Sequence, residues 1–256
     1  MKLMTYNIYA GAAATFDTII EIVNREAPDF LTLNEANGFD LDKNRLLDEF
    51  AQRTDFRYYK LEKCGDSDNY HVAIFSRKPF ASPAAVRPLS RAAIVAVINT
   101  PIGEVAICGT HLSPHSEDIR LKELKLILDV ISPYEHKILL GDLNSLSIKD
   151  SYPDSIIKDF THEQLRKFTT NEKVRYDLIN SLINNGFNDI AVLVGKQATV
   201  TVPTPVNTDT SHSKMRLDYI MVSDSLKEHI MDYEVVKNDL TTISSDHYPI
   251  VADLDI

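Results

Sequence analysis

The sequence predicts an α+β protein with a mixed or antiparallel two-sheet core and helices outside. Strand-like segments outnumber helix-like ones, and the two kinds alternate to the last residue. Several strands are also hairpin neighbours, which fits poorly with a purely parallel doubly wound sheet. The 256 residues suit two small domains or one large one, and an apolar fraction of 44% is ample for a core. There is no long Gly/Ser linker, low-complexity tract or internal repeat.

KLMTYNI (2–8) reads as the first strand. Phe16, Ile19, Ile20 and Val23 then recur at helical spacing, with Pro28 beyond the helix end. FLTLNE (30–35) is a second strand and LDKNRLLDEFAQR (41–53) a helix. RYYKLE (57–62), HVAIFSR (71–77), AAIVAVINT (92–100) and EVAICGTHL (104–112) are strands, the last two joined through the hairpin signal Pro101-Ile102-Gly103. Residues 116–132 form the best helix, with Leu121, Leu124, Leu128 and Ile131 along one face and Pro133 after its end. KILLGD (137–142) is another strand.

Residues 145–215 are less regular, with a helix over about 174–185 that stops at Gly186 and a Thr/Pro-rich loop over 199–210. RLDYIMVS (216–223) and YEVVK (233–237) are strands. In the last strand Ile250, Ala252, Leu254 and Ile256 share one face, and Val251, Asp253 and Asp255 the other. Pro249 suits its first position, where no ladder N–H is needed.

Composition narrows the function classes. No apolar run approaches the roughly 18 residues of a membrane span, and MKLMTYNIYA has too short an apolar stretch for a signal peptide. Cys64 and Cys108 form neither a disulfide framework nor a zinc pattern, so they read as packing residues of a cytoplasmic protein. A formal charge of −10 argues weakly against broad binding to phosphate backbones, and it suits a site that holds a hard cation. Nothing in the sequence marks an obligate protein partner.

The informative pattern lies at the strand ends. One strand ends at Asn7, another at Glu35, another at His111, and KILLGD at Asp142 with Asn144 two residues on. RLDYIMV begins at Asp218, and the last strand begins just after Asp246-His247. An antiparallel strand that begins shares its sheet edge with a neighbour that ends, so one mouth collects all eight. Taken singly, each has a structural reading as a cap, turn or satisfied histidine. Together they are four carboxylates, two amides and two imidazoles, with no Lys beside the carboxylates in the sequence. Crowded carboxylates need a cation or a shared proton, and an all-oxygen set of Asn, Glu and Asp selects Mg²⁺, Mn²⁺ or Ca²⁺ over zinc.

The segments TYNI (5–8), LNEA (33–36), VAIFSR (72–77), GTHL (109–112), GDLNS (141–145), RLDYIMVS (216–223) and SSDHYPI (244–250) resemble, in order, the motifs of the endonuclease/exonuclease/phosphatase superfamily. The resemblance implies a single domain over residues 1–256, folded as a four-layer α/β/β/α sandwich of two mixed β-sheets with outer helices, like deoxyribonuclease I. It also implies one divalent ion, Mg²⁺ with Mn²⁺ as alternative, and hydrolysis of a phosphate ester. Glu35 matches the principal metal ligand, with Asn7 and Asp246 completing the metal's neighbourhood. Asp142 matches the residue that orients or deprotonates the attacking water, and Asn144 one that holds that water or a phosphoryl oxygen. His247 matches the imidazole on the phosphate, Asp218 the carboxylate behind it, and His111 a second histidine of the deoxyribonuclease-like and sphingomyelinase-like branches. Arg91 and His71 match positions near the substrate.

The implied activity is that of a phosphodiesterase or nuclease, with nucleic-acid ends among its substrates. The alternatives within the family are a phosphomonoesterase, a phospholipid, inositol-phosphate or phosphotyrosyl-DNA hydrolase, and last an inactive metal-binding adaptor. Tyr9 stands where the apurinic-endonuclease branch has an acid, THLSPH replaces that branch's Tyr-x-Pro-Asn-type segment, and the chain has no tryptophan. Abasic-site cleavage is accordingly disfavoured. Substrate choice is expected in the loops 63–70, 78–91 and 145–215, which show no aromatic-plus-basic stacking platform.

Overall fold

The computed structural model describes residues 1–66, 69–206 and 214–256. Positions 67–68 of the expected loop 63–70, and 207–210 of the loop 199–210, lie outside the described residues. The chain opens with strand β1 (Lys2–Asn7), helix α1 (Phe16–Glu26) and strand β2 (Phe30–Asn34). Helix α2 (Arg45–Arg53), β3 (Tyr58–Glu62), β4 (Val72–Ser76) and β5 (Phe80–Ala85) follow. Then come β6 (Ala92–Thr100), β7 (Gly103–His111), α3 (Glu117–Ile131) and β8 (His136–Asp142).

The less regular stretch holds α4 (His162–Phe168), a small hairpin of β9 (Thr169–Thr170) and β10 (Lys173–Val174), α5 (Asp177–Asn184), β11 (Phe187–Asp189) and α6 (Ile190–Leu193). Strands β12 (Asp218–Ser223) and β13 (Ile230–Val235), helix α7 (Thr241–Ser244) and β14 (Ile250–Leu254) complete the chain.

Two six-stranded sheets form, in the orders β13-β14-β1-β2-β4-β3 and β11-β12-β8-β7-β6-β5. Each has one parallel pair crossed over by a helix, β1–α1–β2 in the first and β7–α3–β8 in the second, among antiparallel neighbours. The alternation of side chains explains the layering. Leu3, Phe30, Ile74, Ile250 and Leu254 of the first sheet meet Ile94, Ile107, Ile138, Leu140 and Ile220 of the second in one apolar layer. On the outer face of the first sheet, Tyr6, Leu33 and Phe75 pack under Ile19, Val23 and Phe50 of α1 and α2. On that of the second, Cys108, Leu139 and Met221 pack under Leu124, Ile127 and Leu182 of α3 and α5. This is the four-layer α/β/β/α sandwich that the motifs imply.

Three details depart from the sequence reading. Helix α2 begins at Arg45 rather than 41, because Asp42, Lys43 and Asn44 take left-handed backbone angles (φ 49°, 59° and 66°). Strand β5 lies in a stretch expected to be loop, and a register shift between Ala81 and Ala84 lets the edge strand tolerate Pro83. The buried face of α3 runs through Arg120, Leu124, Ile127 and Ile131, with Leu121 and Leu128 only flanking it. A fully buried arginine turns that face away from the leucine stripe.

The sheets pack tightly against each other at Gly109. A Cβ on Gly109 would lie 2.5 Å from Thr32 Oγ1 and 2.7 Å from Ile74 Cγ2 of the opposing sheet. There the buried Asn34 clips the sheets together, its Nδ2 donating to Thr110 O at 2.9 Å and its Oδ1 accepting Asp142 N at 3.0 Å.

Candidate active site

The carboxyl ends of both parallel pairs open at the same edge. Asn7 is in register with Asn34 in one sheet, and His111 with Asp142 in the other. Asp218 begins β12 directly opposite Asp142, while β14 begins four residues after Asp246. All eight strand-end residues therefore gather at one mouth.

The contacts centre on Asp142. Its Oδ2 accepts Asn7 Nδ2 at 3.2 Å, and its Oδ1 accepts Asn144 N at 2.9 Å. Nε2 of His111 stands 3.5 Å from the same Oδ2, and Nε2 of His247 3.9 Å. Asn7 Nδ2 also reaches Glu35 Oε1 at 3.2 Å, so one amide bridges two carboxylates from different sheets. Glu35, at φ 61°, receives Ala10 N on its other oxygen at 2.9 Å. Asn144, at φ 52°, turns its Nδ2 back to Leu112 O at 2.9 Å.

His247 Nδ1 and Asp218 Oδ2 are 2.8 Å apart. The Asp246–His247 segment is pinned from both sides. Ser245 Oγ donates to Asn7 O at 2.6 Å and accepts His247 N at 3.2 Å, while Thr204 N donates to Asp246 O at 3.2 Å.

Burial and charge set the protonation states apart. For His247 burial favours the neutral ring, but the Asp218 carboxylate outweighs it and pushes the pKa up to about 10. For His111 burial wins, and the pKa falls to about 4, so the ring is neutral at pH 7. Unlike His247, His111 has no carboxylate behind it to offset its burial, and its Nδ1 has no hydrogen-bond partner among the described residues. Asp142 is held below the usual range despite its burial, by His111 in the acid range where that ring is charged and by the charges of His247 and Lys167. Glu35 is pushed up, by burial and then by the Asp246 charge.

Two groups of donors at the mouth could hold a cation. Asp142, Asp218 and His247 bring ligand atoms within 4.8 Å of one another. A protonated His247, however, has no lone pair to give. Glu35, pushed up by burial and by Asp246 despite the hydrogen bonds from Ala10 and Asn7, is a second place for an ion, and oxygen donors of this kind fit Mg²⁺ or Mn²⁺.

Arg91 and His71 lie to one side. His71 Nε2 is 3.2 Å from Asp40 Oδ1, and its Nδ1 accepts Cys64 N at 3.1 Å. Arg91 pairs with Asp66 at 2.6 Å and stacks on Tyr70 at 4.4 Å. It lines a cleft of about 360 Å³ with Glu62, Cys64, Arg87 and Leu89. Because its neighbour Ala92 pairs with His111, its charge is still felt at the mouth.

Two residues at the mouth escaped the sequence reading. Asn34 sits inside a strand pattern, and Lys167 lies in the irregular 145–215 stretch. Lys167 breaks the expectation that no lysine neighbours the carboxylates. Burial pushes its pKa down to about 8, while Asp142 and Glu35 hold its charge. Nothing local in the sequence could have placed it there.

The family model of the endonuclease/exonuclease/phosphatase family matches residues 4–247, and the chain belongs to that family. Its members are generally hydrolases acting on phosphate esters. The fold is similar to that of a family protein from Leptotrichia buccalis C-1013-b, at 21% identity and TM-score 0.71 over 100% of both chains. It is similar to an AP endonuclease from Archaeoglobus fulgidus, at 16% identity and TM-score 0.74 over 100% of both chains. A family protein from Beutenbergia cavernae DSM 12333 gives 18% identity and TM-score 0.68, over 99% of this chain and 71% of that one. A search of curated proteins gives no match.

Proposed function

We propose that the protein is a divalent-metal-dependent phosphodiesterase of nuclease type that hydrolyses its ester by in-line attack of water. One observation carries this reading: an amide and two imidazoles of opposite protonation preference converge on Asp142 Oδ2. A carboxylate so held can take a proton from water while the imidazoles face the same reacting centre.

Asp142 orients and deprotonates the water, and Asn144 fixes the position of Asp142. His247, kept charged by Asp218, donates to the phosphoryl or leaving oxygen, where negative charge grows. His111 offers a neutral N–H to the same group. Glu35, Asp246 and Asn7 hold the ion, Mg²⁺ or Mn²⁺, which when bound neutralises charge on the phosphoryl oxygens.

The test is a metal titration followed by hydrolysis of bis-p-nitrophenyl phosphate, p-nitrophenyl phosphate, abasic duplex, single-stranded DNA, RNA and phospholipid head groups. Mg²⁺- or Mn²⁺-stimulated cleavage of the diesters is expected. Metal binding without hydrolysis of any substrate would leave only an inactive adaptor, and preference for the monoester would move the assignment to a phosphatase.

A further inference from the structure

Three buried arginines around the mouth are already committed to carboxylates. Arg91 is paired with Asp66, Arg120 with Glu117, and Arg216 with Asp150 and Asp189. Lys167 differs: among the described residues, no carboxylate oxygen lies within 4.0 Å of its ammonium. The Phe168 ring lies beside it, 5.0 Å from Nζ to the centroid.

The lysine is nevertheless firmly placed. Arg120, fully buried in α3, donates from Nη2 to Lys167 O at 2.7 Å and from Nη1 to Ser113 O at 2.9 Å. Ser113 is two residues past His111, so the last turn of α4 is fastened to the loop that leaves the site. On the other side, Arg175 N donates to Phe168 O at 2.8 Å.

Lys167 lines a pocket of about 100 Å³ with Gln164, Phe168, Met215 and Leu217. Leu217 precedes Asp218, and its carbonyl accepts Leu143 N at 2.9 Å, next to Asp142. One wall of the pocket is thus the residue that precedes Asp218, while Glu163 and Thr161 complete its lining.

A half-buried ammonium with no hydrogen-bond or carboxylate partner among the described residues is costly, and a mouth of four carboxylates repels an anionic substrate. Both difficulties end when an anion lies between the lysine and the site. We propose that Lys167 is a substrate-binding residue: its ammonium takes an oxygen of the substrate phosphate, and the pocket beside it receives the group that the phosphate carries. The proposal rests on the phosphate-ester reading above, and it adds a specificity element drawn from the irregular segment.

The experiment compares wild type, Lys167→Ala and Lys167→Arg on bis-p-nitrophenyl phosphate with Mg²⁺, using inorganic phosphate as competitive inhibitor. Losing a charge-assisted bond is expected to raise KM and the phosphate inhibition constant roughly ten- to a hundredfold in the alanine variant. The arginine variant should restore most of the loss, and kcat should change less than KM. Unchanged KM and unchanged phosphate inhibition in Lys167→Ala would overturn the proposal.

Should the alanine variant melt well below wild type, Lys167→Met, which keeps the stem over Phe168, is judged by the same criteria. If wild type cleaves no ester, the functional reading fails by itself. Calorimetric titration with inorganic phosphate then still decides on Lys167, through weaker binding or equal binding in the variant.

Discussion

His247 Nδ1 lies 2.8 Å from Asp218 Oδ2, and both side chains are buried. The pair spans the two sheets, since Asp218 begins β12 while His247 leads into β14. The carboxylate orients the ring and keeps it charged, leaving Nε2 3.9 Å from Asp142 Oδ2.

Replacing Asp218 by Asn preserves shape but removes the charge that keeps His247 protonated. Asp218→Asn, like Asp142→Asn and His247→Ala, is expected to lower kcat by about 10²–10⁴, the range for a lost acid–base group. Steady-state rates on whichever ester the wild type cleaves provide the check. Wild-type rates in Asp142→Asn and His247→Ala together would remove both residues from the mechanism.

The same pair should shape stability against pH in chelator-treated protein. His247 has a folded pKa of about 10 against an ordinary 6.5, so its contribution is complete below 6.5 and disappears as pH rises through 10. Lys167, lowered to about 8 from 10.5, acts with the opposite sign only above about 8. Between pH 6.5 and 8 the His247 effect is not opposed by Lys167, and its contribution to the unfolding free energy should fall by about 1 kcal/mol per pH unit. Denaturant titrations at intervals across this window measure it, and His247→Gln should flatten the slope.

Much of this site was legible because its residues terminate apolar strands. Asn7, Glu35, His111 and Asp142 each close a run whose core-facing period is plain, so the fold could place them at one edge. Lys167 and Asn34 were not legible, for different reasons. Asn34 sits inside the strand pattern, and its role depends on the opposing sheet's distance at Gly109. Lys167 is delivered by a short helix whose position is fixed by a buried arginine 47 residues earlier in the chain. Arg91 illustrates a further limit, because its committed partner Asp66 lies in a loop with no periodic pattern.

Metal binding should be visible without turnover. Glu35 is pushed up by burial and by Asp246, so an ion that neutralises both would stabilise the fold. A ligand present at a hundred times its Kd contributes about 2.7 kcal/mol, and the melting temperature should rise with Mg²⁺ or Mn²⁺ accordingly. In Glu35→Gln this rise should be largely lost. An undiminished rise there would move the ion to the cluster of Asp142, Asp218 and His247.

Arg216 offers the sharpest stability prediction. Its side chain is 1% exposed, bonds Asp150 and Asp189 at 2.6 Å each, and lies 4.3 Å from the Tyr219 ring centroid. Asp150 and Asp189 both belong to the irregular segment, so one guanidinium ties that segment to the strand carrying Asp218. Removing it leaves two buried carboxylates without a cation, and breaking a buried pair in this way costs about 3–5 kcal/mol. Arg216→Met should therefore lower the unfolding free energy by that amount in denaturant titration. The triple variant that also replaces Asp150 and Asp189 by Asn should recover part of it, because the unpaired charges are then gone. If Arg216→Met alone were as stable as wild type, the segment would be held by its apolar cluster of Leu146, Phe160, Phe168 and Met215 instead.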